Sequence, residues 1–162
     1  MERLVRFAAC VIISAMGFGY SSPAQVHWSV GGNMGISIAS GGGFSSAGFH
    51  FGPMGEVLIG KGPAVGTEFD INTQTGTPIE WANYFKWYLT IPGSTVKPYA
   101  DAGFGLYFFT GGPYFDLRFG GGAQFEVAKK LYIPAELQLG PVFVTGTTGF
   151  IFLIRSGIRY EI

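Results

Sequence analysis

Charge is what this chain has least of. Lysine, arginine, aspartate and glutamate together make up 12% of its 162 residues, about half of the roughly 25% that is usual in soluble domains. The ten basic and ten acidic residues cancel, so there is no basic excess to attract a nucleic acid. Because 48% of the residues are hydrophobic, we expect the folded chain to meet a solvent other than water.

Cysteine is almost absent, and Cys10 is its only instance. It lies in a stretch with the pattern of an export signal, in which Arg3 and Arg6 precede an apolar run and then small residues. We predict that residues 1–24 are a cleaved signal peptide and that residues 25–162 form one mature domain. That domain would have no disulfide, no thiol nucleophile and no cysteine metal site.

Helical periodicity is missing from residues 25–162, and alternation with a period of two takes its place. In the last segment, GFIFLIRSGIRYEI, Phe152 and Ile154 share one parity while Arg155 and Arg159 share the other. The same pattern recurs in about eight segments separated by turn signals. This predicts an all-β fold, an eight-stranded up-and-down antiparallel meander.

Aromatic residues on the oily face fall at two levels if successive strands run up and down. One level holds Trp28, Trp87 and Tyr160, and the other holds Trp81, Phe108 and Phe150. Two aromatic belts are typical of a membrane barrel, which needs one at each interface. The segments also reach the ~9 to 11 residues that cross a bilayer. We therefore predict a transmembrane β-barrel with its oily face toward lipid.

Two stretches carry a family resemblance, KPYADAGFGLYF at 97–108 and FDLRFGGGAQFEV at 115–127. Together with the alternating C-terminal strand, they resemble the small outer-membrane β-barrel proteins of Gram-negative bacteria, the OmpA-like and OmpX-like eight-stranded barrels. The resemblance covers residues 25–162. It implies an outer-membrane location, outer-membrane lipid and the barrel-assembly machinery as partners, and a monomer without a cofactor.

The charged face would then point into the barrel, which eight strands leave just wide enough for side chains to fill. We predict a polar, ion-paired interior that plugs the barrel. The members assigned to this network are Arg155, Arg159, Arg118, Lys86, Asp101, Asp116, Glu126 and Glu136. Four further acids of the same parity are possible partners, namely Glu56, Glu68, Asp70 and Glu80. Inward glycines such as Gly105 and Gly120 would leave room for the long side chains.

A non-enzymatic barrel with a structural or surface-interaction role is the leading hypothesis, because the predicted outer loops are short. We predict no catalytic, cofactor-binding or metal-binding residues. An exported soluble β-barrel that binds an apolar ligand stays open, since such barrels alternate too. A lipid-modifying outer-membrane enzyme also stays open, with His50, Ser45 or Ser46, and Glu56 as its candidate triad. We expect His27 and His50 near opposite rims, which argues against a shared metal site.

Overall fold

The computed structural model describes residues 25–41, 44–74, 78–108, 114–144 and 146–162, so the predicted signal peptide lies outside it. Eight strands make up most of the described chain: β1 (Val26–Gly41), β2 (Phe44–Ile59), β3 (Pro63–Asn72), β4 (Ile79–Tyr88), β5 (Val96–Phe108), β6 (Tyr114–Ala128), β7 (Leu131–Val144) and β8 (Thr147–Glu161). Within these ranges, no helix is long and apolar enough to span a membrane.

The strands form a closed barrel. Each strand pairs antiparallel with the next in sequence, and β8 returns to pair with β1 from Ser29↔Glu161 to Ser40↔Phe150. Closure leaves no strand edge whose backbone groups lack a partner strand. The predicted eight-stranded up-and-down antiparallel barrel is confirmed.

The two faces of every strand differ in burial. Along β8, Phe152 and Ile154 are exposed while Leu153 and Arg155 are buried. The buried set is mostly polar, and the outer surface carries the large hydrophobic side chains. This distribution is the reverse of that in a water-soluble domain, where charged residues are almost never fully buried unless paired.

The structure places all six predicted girdle residues on the outer surface. Trp87 pairs with the first residue of β3 and Tyr160 with the first residue of β7, which puts both near the rim that carries the chain termini. Phe108 pairs with the first residue of β4, near the opposite rim. At that level the rings of Phe69 and Trp81 stack with centroids 6.1 Å apart.

Candidate functional site

The interior of the barrel is the candidate site, and Arg118 on β6 lies at one end of it. Its guanidinium donates from Nε to Asp116 Oδ1 at 3.0 Å and from Nη2 to the Tyr107 hydroxyl at 2.8 Å. It also contacts Glu80 on β4. The side chain fits because Gly105 lies beneath it, where a Cβ would come within 2.6 Å of Arg118 Nη2.

Arg155 on β8 lies between two carboxylates contributed by different strands. It donates to Glu68 on β3 and to Glu136 on β7. The other oxygen of Glu68 accepts from Asn33 Nδ2 at 2.9 Å, so this carboxylate is bound on both sides. Lys86 Nζ lies 2.7 Å from Glu136 Oε2, which gives that acid a second cation.

Arg159 lies two inward positions beyond Arg155 on β8, at the end of the interior near the termini. Its Nη1 donates to Glu56 Oε1 at 2.6 Å and to Gln124 Oε1 at 2.9 Å, and it contacts the Tyr88 hydroxyl. The Tyr88 hydroxyl in turn donates to Glu56 Oε1 at 2.9 Å. The Tyr88 hydroxyl therefore bridges Glu56 and Arg159.

These pairs join into one chain of alternating sign. In order along the interior it runs through Asp116, Arg118, Glu68, Arg155, Glu136, Lys86, Glu56 and Arg159. The two longest links, Arg118 to Glu68 at 3.7 Å and Lys86 to Glu56 at 3.9 Å, connect the three arginine clusters. Alternation of this kind offsets part of the desolvation cost that each buried charge carries.

The space left among these side chains is small. The two cavities lined by the network hold about 20 Å³ each, which is room for about one water molecule. A larger cavity of about 340 Å³ opens at the rim away from the termini, lined among others by Ala39, Tyr107, Val142 and Ile151. The middle of the barrel is therefore filled with side chains.

Comparison with known proteins identifies the fold. No protein-family model and no curated protein matches the chain. Neisserial surface protein A superposes with a TM-score of 0.69 at 15% identity, over 85% of this chain and 99% of that one. The N-terminal barrel of Pseudomonas aeruginosa OprF gives 0.63 at 11%, over 86% and 99%. A designed transmembrane β-barrel gives 0.53 at 13%, over 88% and 98%.

The chain has the fold of the small eight-stranded outer-membrane β-barrels. This agrees with the resemblance seen in the sequence at 97–108 and 115–127. Identities of 11% to 15% establish the fold and not an activity, so the function is inferred from the chain's own residues.

Within this outer-membrane barrel fold, the structure brings six of the eight predicted network residues together. They are Arg155, Arg159, Arg118, Lys86, Asp116 and Glu136. Asp101 is also buried, but neither of its carboxylate oxygens has a hydrogen-bond partner among the described residues. Glu126 requires a correction, because its side chain is exposed. It lies at the end of β6, where the pairing with β7 shifts register before Ala128.

Three tyrosines belong to the network although the sequence pattern did not predict a role for them. Tyr88, Tyr99 and Tyr107 are buried, and each hydroxyl contacts a charged group of the network. Tyr99 donates to Glu136 Oε2 at 2.8 Å, and Lys86 Nζ lies 4.6 Å from the centroid of the Tyr99 ring. The signal was available, since these residues share the inward parity of Lys86 and Asp101.

Gly120 also differs from its expected role. The nearest neighbour of a Cβ added there would be the Leu137 carbonyl oxygen, 2.1 Å away on the adjacent strand. Gly120 therefore permits close approach of two strands, whereas Gly105 makes space for a side chain.

The candidate triad is not assembled. His50 lies inside the barrel with 1% of its surface exposed, not at the rim, and neither ring nitrogen has a partner among the described residues. Glu56 is bound to Arg159 in the network. Ser45 and Ser46 line the rim cavity instead. His27 lies at the other end, with Nδ1 2.9 Å from Glu161 Oε1.

Proposed function

We propose that this protein is an integral outer-membrane β-barrel without enzymatic activity, which serves a structural or surface-interaction role. The observation that carries the proposal is the inverted burial, with hydrophobic side chains outside and a charged network inside. Trp28, Met34 and Phe49 are each exposed over 60% or more of their surface. Monomeric soluble proteins rarely expose apolar patches beyond a few hundred Å².

A closed barrel is also one of the two structures that can satisfy every backbone group within a bilayer. The strands have 10 to 16 residues, whereas ~9 to 11 suffice to cross the hydrocarbon when tilted. Length, closure and an apolar outer surface therefore support insertion in the outer membrane, with lipid as the direct partner. Insertion by the barrel-assembly machinery, signal-peptide cleavage and a monomeric state complete the proposal.

The absence of enzymatic activity is supported by the pairing of the interior acids with bases. Glu56, Glu68 and Glu136 each contact a cation in the interior. Catalytic acids and bases need access to a substrate, and cavities of about 20 Å³ among these groups leave no room for one. The same crowding argues against an apolar ligand in the middle of the barrel, because it would have to displace buried ion pairs.

Fractionation of cells that express the full-length protein tests this proposal. We expect carbonate-resistant, detergent-extractable protein in the outer membrane, and a faster-migrating band on gels when the sample is not boiled. The gel shift is expected because a closed barrel has no free edge from which to unravel. Soluble periplasmic protein would overturn the proposal.

A further inference from the structure

The charges buried inside the barrel do not balance. Among the described residues, the buried acids are Glu56, Glu68, Asp70, Glu80, Asp101, Asp116 and Glu136, and the buried bases are Lys86, Arg118, Arg155 and Arg159. The seven carboxylates therefore exceed the four cations by three. A buried charge without compensation costs several kcal/mol, so an excess of this size needs an explanation.

Two of the three excess charges are at the end of the interior near Arg118. Six charged groups meet there through ion pairs or through cross-strand pairing. Four are acids and two are bases: Glu68, Asp70, Glu80 and Asp116, and Arg118 and Arg155. The third excess charge is on Asp101, which pairs across strands with Lys86. The two excess charges near Arg118 are thus concentrated beside β3 and β4.

Asp70 and Asp101 are the buried carboxylates with no partner for either oxygen among the described residues, and Asp70 is the one near Arg118. Its surface is 1% exposed, and neither of its oxygens has a hydrogen-bond partner in the described part of the chain. Glu80 stands directly opposite Asp70 in the β3–β4 ladder, and its Oε2 also lacks a partner. Like charges directly across a sheet repel each other, so a further positive charge beside this pair would stabilise the folded barrel.

The geometry points to a cation there. One carboxylate oxygen each from Glu68, Asp70 and Glu80 lie within 4.8 Å of one another. Oxygens that share a Ca²⁺ at about 2.3 to 2.6 Å lie at most about 5.2 Å apart, so all three can reach one ion. We propose that these three residues bind a single hard divalent cation, with Ca²⁺ the best match to an all-oxygen donor set.

The charge of such an ion fits the site. One divalent cation would cancel the excess of two negative charges among the six groups around Arg118. The unpartnered oxygens of Asp70 and Glu80 would become ligands of that ion. Glu68 would share its carboxylate between the ion and Arg155. The proposal adds a bound ion to the barrel and does not depend on which membrane holds it.

Calcium binding by the purified full-length protein tests the site. The protein is unfolded in urea with EDTA, refolded in a zwitterionic detergent, and dialysed against radioactive Ca²⁺. We expect one Ca²⁺ per chain and a higher urea midpoint with Ca²⁺ than without it. Asp70→Asn and Glu80→Gln should each weaken binding at least about tenfold, because ligand charge sets calcium affinity. Asp70→Asn removes a repelling charge, and Glu80→Gln keeps an amide oxygen that can accept from Arg118, so we expect both variants to fold.

Asp101→Asn is the matched control, because it also removes a buried, unpartnered carboxylate but lies outside the cluster. It should leave both the stoichiometry and the affinity unchanged. Absence of bound Ca²⁺ in the wild type, or equal loss in Asp101→Asn and Asp70→Asn, would overturn the proposal. A urea midpoint that responds to pH but not to Ca²⁺ would assign the compensation to protons and overturn it as well.

Discussion

Ile154 and Arg155 are neighbours in β8, yet they belong to opposite environments. Ile154 is 45% exposed on the outer surface, whereas Arg155 is 6% exposed and contacts Glu68 and Glu136. The contribution of the outer residues to stability depends on the solvent around the barrel. Most inner charges depend on each other, because Arg155 and Arg159 each contact an acid from another strand.

This difference has a consequence for mutations. Changes on the outer face should act almost independently, since their neighbours there are interchangeable hydrophobic groups. Changes in the interior should be coupled, because residues in one salt-bridge network show large interaction energies.

Loss of Arg155 should have the largest effect. Arg155→Leu leaves Glu68 and Glu136 without their shared partner, and removal of one partner of a buried pair costs roughly 3 to 5 kcal/mol. Urea titration of the barrel refolded in lipid vesicles measures this. Adding Glu136→Gln should recover part of the stability. Asp116→Asn is the control and should recover none, because Asp116 is bound to Arg118.

A charge on the outer face should cost somewhat less. Ile154 lies at the midpoint of β8, and arginine on the lipid face at mid-depth costs about 2 to 4 kcal/mol. Ile154→Arg should show this loss in vesicles, and no interior change should rescue it. Val26→Arg, at the first residue of β1, should cost only about 0 to 1 kcal/mol. Equal costs at the two depths would contradict a lipid-facing surface.

Removal of one hydroxyl from the network should have a smaller effect. Tyr88→Phe deletes the group that lies between Glu56 and Arg159, and hydrogen bonds to charged groups contribute about 1.5 to 3 kcal/mol. The direct Arg159 to Glu56 contact at 2.6 Å remains, so we expect the lower end of that range. Tyr160→Phe on the outer face is the control. A larger loss in Tyr160→Phe would refute the assignment.

The smallest expected effect concerns the conductance of ions through the barrel. In planar bilayers the protein should give no steady conductance, because the interior cavities of about 20 Å³ do not form a channel. Large, stable current steps would show that the ion-paired interior opens.

The sequence predicted the fold well because alternation is a local property. In GFIFLIRSGIRYEI, the alternation of apolar and polar residues shows which face of the strand each residue lies on. Eight such segments joined by short connections are compatible with few sheet topologies. The interior was predicted less completely. Parity placed Glu126 with the network, but Glu126 lies two residues from the end of β6, and its side chain is exposed there. Parity also placed Asp116 and Arg155 in one network without saying which residues pair, and the structure joins Asp116 to Arg118.

The sequence by itself therefore determined which residues face inward, since a period of two is set by the geometry of a single strand. Only the tertiary structure decided which inward residues meet. Arg155 contacts Glu68, 87 positions away in the chain, and Arg159 contacts Glu56, 103 positions away. Such contacts follow from the strand registers and from barrel closure, which no local pattern encodes. For the same reason, only the structure showed that Asp70 stands opposite Glu80 and that its carboxylate has no hydrogen-bond partner among the described residues.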